Sequence, residues 1–297
     1  MSNMQVQQKQ KFSVAITTPG YKKLINNTLG DPDRAKRFIA TITSSVAVNP
    51  ALQDCEAGTI LAGALLGESL NLSPSPQLGQ FYLVPFKQKA KYDKQGNLLS
   101  PETTKAQFIL GYKGYIQLAI RSGQYRKLNV IEIKQGELIS FDALNEEIHC
   151  NLIEDFEERE KAETIGYYAM FEYVNGFRKA IYWSKEKMMS HADTYSPAFS
   201  SKAYQDILNG KILEKDMWKY SSFWYKNFDD MAKKTMLRQL ISRWGVMSTE
   251  MQKAFESDDS TADIQNDDIV MVEDEPLIND TPLEAPEDIP QIDLNEI

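Results

Sequence analysis

A chain of 297 residues, 42% hydrophobic and 25% charged, has the make-up of a folded protein with room for a large core. It contains no run of about 18 apolar residues that would mark a membrane span, and its polar opening, MSNMQVQQKQKFSVAITT, lacks the apolar stretch of a secretory signal. Cys55 and Cys150 are too few for a disulfide framework, which leaves the expectation of a cytoplasmic protein with reduced thiols.

The net charge of −9 is unevenly divided. From Glu256 to the end there are 15 acidic and no basic side chains, so the 33 basic residues face only 27 acidic ones before it, a balance of +6. Within that body, residues 136–163 hold 10 acidic and 2 basic residues. The chain is expected to divide into an N-terminal arm (1–30), a basic core (31–255) and an acidic, disordered tail (256–297). The tail mixes acids with Ile269, Val270, Met271, Val272, Ile289, Ile292, Leu294 and Ile297. It suits a solubilising tail, a docking peptide or a competitor for whatever anion the basic body binds.

Asp31-Pro32 starts a helix, with Asp as cap and Pro in its first turn, and Asn49-Pro50 ends it. Asp54 is expected to cap a second helix through Leu70, with a core stripe of Ile60, Leu61, Ala64 and Leu65. Phe81–Val84 and Gln107–Leu110 read as strands. Between them lies a polar loop, 87–105, with a turn signal at Gln95-Gly96-Asn97. A short helix should follow from Lys113 to Ser122, its Ile116, Ala119 and Ile120 turned to the core. Leu128–Ile133 and Glu137–Phe141 read as a hairpin across Gln135-Gly136. Glu163–Val174 and Phe177–Trp183 read as another, joined by Asn175-Gly176. Ser184 can cap a helix, and a long helix should span Phe223–Trp244. The class is α+β, an antiparallel meander of hairpins flanked by helices.

Catalytic side chains are scarce. His149 and His191 are the only histidines, and with the two cysteines they show no zinc spacing. No G-x-x-x-x-G-K-[ST] loop is present to hold ATP. Glu132-Ile133-Lys134 has the E-x-K form of a metal-dependent nuclease core, but no acid lies between Glu102 and Glu132 to complete it.

Three segments suit a polyanion instead. On the helix at 113–122, Lys113, Gln117 and Arg121 fall at i, i+4 and i+8 on one face beside Tyr112, and Arg126 and Lys127 follow. Each phosphate neutralised by such a stripe would release condensed counterions. In Phe223–Trp244, Lys233, Lys234 and Arg238 flank two apolar sides. One side carries Phe228, Met231, Ala232 and Thr235, the other Leu237, Leu240, Ile241 and Trp244. Such a helix is sandwiched within the fold or packed on a neighbouring subunit. The loop cations Lys87, Lys89 and Lys91 adjoin Phe81, Tyr82, Phe86 and Tyr92, and bases stack on rings without regard to sequence.

The blocks Leu78-Gly79-Gln80-Phe81-Tyr82-Leu83-Val84-Pro85-Phe86, Ile109-Leu110-Gly111-Tyr112-Lys113-Gly114 through Gly123, and Asp230-Met231-Ala232-Lys233-Lys234-Thr235 through Arg238 come in an order that resembles the RecT family of phage single-strand annealing proteins. The sequence departs from many relatives at Ser73-Pro74-Ser75-Pro76 and in the long 87–105 loop. The resemblance implies ATP-independent binding of single-stranded DNA and annealing of complements inside a bacterial host cell. It also implies ring or helical homo-oligomers, a 5′–3′ exonuclease partner, and no cofactor beyond magnesium accompanying DNA. The rivals are a single-strand-binding protein that does not anneal, the nuclease, and a scaffold that binds no DNA.

Overall fold

The computed structural model describes residues 11–272 apart from Lys89, Lys94, Ser221, Asp259, Asn266 and Asp267. Four helices open the chain: α1 (Phe12–Ala15), α2 (Pro19–Leu29), α3 (Pro32–Val48) and α4 (Ala57–Ser69). Asp31 caps α3 as expected, its carboxylate accepting from the backbone of Asp33 (2.8 Å) and Arg34 (3.3 Å). Asp54 does not cap α4. Pro50–Asp54 forms a 3-10 turn, and the Glu56 N–H donates to Thr104 O at 2.8 Å, which keeps the chain extended until α4 begins at Ala57. Phe12, Ile16, Leu24 and Ile25 are buried in the first hydrophobic cluster, so from Phe12 the expected N-terminal arm is part of the core. Ile60, Leu61 and Leu65 of α4 are at most 1% exposed, each burial contributing roughly 1.5–3 kcal/mol.

Next come β1 (Phe81–Gln88), β2 (Lys91–Tyr92), β3 (Leu98–Ser100) and β4 (Thr103–Leu110). β1 and β4 pair antiparallel from Phe81↔Leu110 to Gln88↔Thr103, and β2 and β3 continue as a short ladder. The expected loop is therefore mostly a β-arm. Its polar sequence reflects exposure, and its turn is closed by Asp93, which accepts from the backbone of Gln95 and Asn97 and from the Asn97 side chain.

α5 (Tyr112–Arg121) leads into β5 (Tyr125–Lys134), β6 (Leu138–Asp142), β7 (Glu147–Cys150), α6 (Phe156–Lys161), β8 (Thr164–Tyr173) and β9 (Arg178–Ser184). β5 and β6 do not form the expected hairpin. β5 pairs with β8, β8 with β9, and β6 with β7. The cause is Glu137, whose buried carboxylate accepts from Lys134 N, Ile153 N and the Arg159 guanidinium and turns the chain off the sheet after β5. The Asn175-Gly176 hairpin is as read, Glu172 opposite Arg178 with Gly176 at φ +88°.

The described residues close with α7 (Lys185–Tyr195), α8 (Ser201–Leu208), α9 (Phe223–Lys226), α10 (Phe228–Trp244), α11 (Thr249–Ser257), β10 (Ser260–Gln265) and β11 (Asp268–Val272). Ser184 caps α7 through Lys187 N. The long helix is broken at Asn227, which leaves the helical region between α9 and α10. Its two apolar sides are both used inside the fold. Leu237 and Ile241 join the cluster of the N-terminal helices, while Phe228, Met231, Ala232, Met236 and Leu240 join one with β8 and α7. The strands β10 and β11, both in the stretch read as tail, pair antiparallel and extend the first sheet, in the order β1-β4-β10-β11. Glu256 and Ser257 of that tail end α11, and residues 273–297 lie outside the described residues. The class is mixed helix and antiparallel sheet. Among the described residues no helix is long and apolar enough to cross a membrane.

Candidate nucleic-acid interface

The three sequence blocks meet at the start of α5. Gly111 N–H donates to Gln80 O at 2.9 Å. A Cβ on Gly111 would stand 2.2 Å from Gly79 O, and one on Gly114 2.2 Å from Gln80 O, so the first turn of α5 rests directly on the 79–80 backbone. Only glycine permits that approach. Tyr82 and Lys113 both border Gly79, and the Tyr82 ring lies 5.3 Å from Phe223. From α10, Lys233 reaches over the Tyr112 ring (4.7 Å to its centre) while pairing with Glu132 and Asp230, each at 3.0 Å.

These contacts set the local charges. Burial alone would raise the Glu132 carboxyl, but hydrogen bonds from Lys134 and Lys233 outweigh it and hold it below the usual range. Burial would likewise lower Lys233, and its bonds to Asp230 and Glu132 raise it instead. Burial, aided by the Asp230 charge, lifts the Tyr82 hydroxyl. The Glu132-Ile133-Lys134 motif is thus an internal ion cluster in which two ammonium groups hold the carboxylate. Among the described residues no three His, Cys, Asp or Glu side chains gather as a metal site would require.

The outer face of α5 carries Lys113, Gln117 and Arg121, all exposed, as the spacing anticipated. No ion pair reaches Lys113 among the described residues. Arg121 also donates to Leu70 O (2.7 Å) and Asn71 O (3.4 Å), closing the C-terminus of α4. Ala119 is buried and Ile116 packs against the first cluster as expected, but Ile120 is turned outward at 60% exposure, and Tyr115 and Leu118 fill the core instead. Beyond Arg121 a cleft is lined by Arg34, Arg37, Glu68, Asn71 and Ser73, with Arg34 paired to Glu68 at 2.7 Å. Sequence reading passed over these arginines, whose only signal was their i, i+3 spacing on α3.

The other expected contacts are not gathered there. Lys234 is 4% exposed, and its ammonium pairs at 2.9 Å with Asp258. Arg238 pairs with the same carboxylate at 2.8 Å, which also accepts from Leu110 N and the Tyr115 hydroxyl. Sequence offered no signal for Asp258, one acid among many in the stretch read as tail. Phe228 is buried among Trp224, Phe199 and Tyr204. Arg126 and Lys127 pair with Glu172 on β8. Phe171 and Tyr173 pack toward α10, so by alternation Glu172 and its partners occupy the other face of the sheet. Lys87 is exposed on β1. Lys89 lies outside the described residues, and Lys91 is placed on β2 by its backbone alone.

Comparison with known proteins matches residues 36–272 to the RecT family. The chain is 36% identical over 261 residues to the uncharacterized protein YqaK of Bacillus subtilis (strain 168), covering 87% of this chain and 76% of that protein. It is 28% identical over 245 residues to protein RecT of Escherichia coli (strain K12), covering 82% and 78% respectively. With that match spanning every described strand and the helices between them, the chain belongs to the RecT family.

Proposed function

We propose that this protein binds single-stranded DNA along the outer face of α5 and anneals it to its complement without consuming a nucleotide. Family membership supports a recombination-related single-strand annealing role. The observation that carries the finer reading is the convergence of all three motif blocks beneath Lys113, Gln117 and Arg121. The glycine contacts hold that helix rigidly against the first sheet. The ion cluster at Lys233 braces its first turn from α10.

Annealing needs no bond-making residue. Lysine and arginine contacts to phosphate fix a strand without reading it, leaving base edges free. Pairing then supplies the driving force, since stacking averages about 1.4 kcal/mol per step and ten matched steps give roughly 14 kcal/mol. That is ample without ATP. A homo-oligomer, as a ring or helical filament, would align many bases at once, and a 5′–3′ exonuclease would supply the strands; magnesium would enter only with the DNA. Mixing complementary fluorescent oligonucleotides without nucleotide tests the reading. Faster pairing than with naked strands is expected. Binding with no gain in rate would leave a protective single-strand binder, and no binding at low salt would leave a scaffold.

A further inference from the structure

A second cationic and aromatic patch lies along β9, the opposite edge of the β5-β8-β9 sheet from the strand that α5 adjoins. The Lys187 ammonium of α7 stands 4.5 Å from the centre of the Trp183 ring, and Lys179 stands 4.4 Å from that of Trp244. Lys179 and Trp183 share one face of β9, about 13 Å apart. Arg243, in the last turn of α10, lies close enough to act on Lys187. Burial first, and then that guanidinium, lower the Lys187 ammonium below the ordinary lysine range. Lys179 is held by Glu146, but no ion pair reaches Lys187 or Arg243 among the described residues. Lys187 and Arg243 are both exposed, and with no ion pair among the described residues each can meet a phosphate.

The rings decide which anion. An acidic peptide would use the cations and leave the indoles idle. A single polynucleotide strand uses both, its phosphates on Lys187 and Arg243 and its bases against Trp244, 37% exposed, and the outer part of Trp183, which is half-buried against the cluster of β8 and α7. The patch is also separate from the α5 face. Arg243 is about 15 Å along α10 from Lys233, and β9 is roughly 10 Å from β5 across the ladder.

We infer that Trp183, Lys187, Arg243 and Trp244 form a second single-strand site, which receives the incoming complement while the first strand lies on α5. This rests on the annealing function proposed above. In the test, the full-length protein is loaded with a donor-labelled oligonucleotide, and an acceptor-labelled complement is added over a range of salt. The double variant Lys187→Gln/Arg243→Gln should bind the first strand as the wild type does but pair it more slowly. Its pairing rate should lose about two units of salt dependence. Wild-type pairing by this variant overturns the second site while leaving annealing intact. Wild-type failure to bind the first strand overturns both. Should the double variant not fold, Trp244→Phe decides. Adding a second strand to loaded wild-type protein should quench tryptophan fluorescence, and the variant should lose much of that quench. Equal quenching in both proteins, or quenching by polyglutamate but not by the strand, overturns the second site.

Discussion

Lys113 and Lys234 both belong to the motif blocks, yet their surroundings assign them different duties. Lys113 is exposed on α5, without an ion pair among the described residues. Lys113→Ala should weaken single-strand binding and lower its salt slope by about one unit, read by fluorescence anisotropy. Lys234 sits 4% exposed against Asp258. Removing it takes one of several partners from a buried carboxylate that keeps Arg238, at about 1–3 kcal/mol of stability. Urea unfolding of Lys234→Ala should show that loss; an unchanged midpoint with a reduced salt slope would instead make Lys234 a phosphate ligand. Glu137 is a third case. Burial would raise its carboxyl, but the Arg159 guanidinium and the backbone N–H groups of Lys134 and Ile153 outweigh it and keep it low. Because the folded value lies below the unfolded one, the stabilisation is present above the unfolded pKa and is lost as pH falls through the folded one. Thermal unfolding from about pH 7 to about pH 3 should therefore cost the wild type more of its midpoint than Glu137→Gln. Parallel losses would contradict the assignment.

Among elements, α5 depends most on its glycines. Gly111→Ala or Gly114→Ala would drive a methyl group to 2.2 Å from a backbone oxygen of the 79–80 segment. The helix would have to lift off β1, at a cost of about 1–3 kcal/mol, and DNA binding should fall with it. Circular dichroism and anisotropy on the same variants check both, and an alanine variant of wild-type stability would show that the contact is dispensable. Elements fixed by local chemistry were legible: Asp31-Pro32 before α3, Asn175-Gly176 between β8 and β9, Ser184 before α7. Those fixed at a distance were not. β5 chooses β8, thirty residues on, over its neighbour β6, because Glu137 and Arg159 redirect the chain. The 87–105 arm is polar because it is exposed, which composition alone cannot tell from a loop. The doubled apolar faces of α10 were visible as a pattern, but only packing shows that both are filled from within the same chain.

At the scale of the whole molecule, residues on either side of the expected 31–255 core also join the fold. Phe12 and Ile16 bury against the N-terminal helices, and Asp258 with β10 and β11 completes the first sheet, in line with a family match that ends at residue 272. Acidity therefore did not mark the end of the fold. Among the described residues, the side chains that sequence suggested for DNA do not share one surface. Lys113, Gln117 and Arg121 remain together, Lys234 and Arg238 turn inward, and Arg126 and Lys127 fall on the far face of the second sheet. What the chain holds toward a strand is thus narrower than its total of basic residues implies. Mass-spectrometric lysine labelling of the full-length protein with and without a single-stranded oligonucleotide is the most direct measurement. DNA should protect Lys113, while Lys234 should stay unreactive in both states. Labelling of Lys113 that DNA leaves unchanged would contradict the placement of the strand on α5.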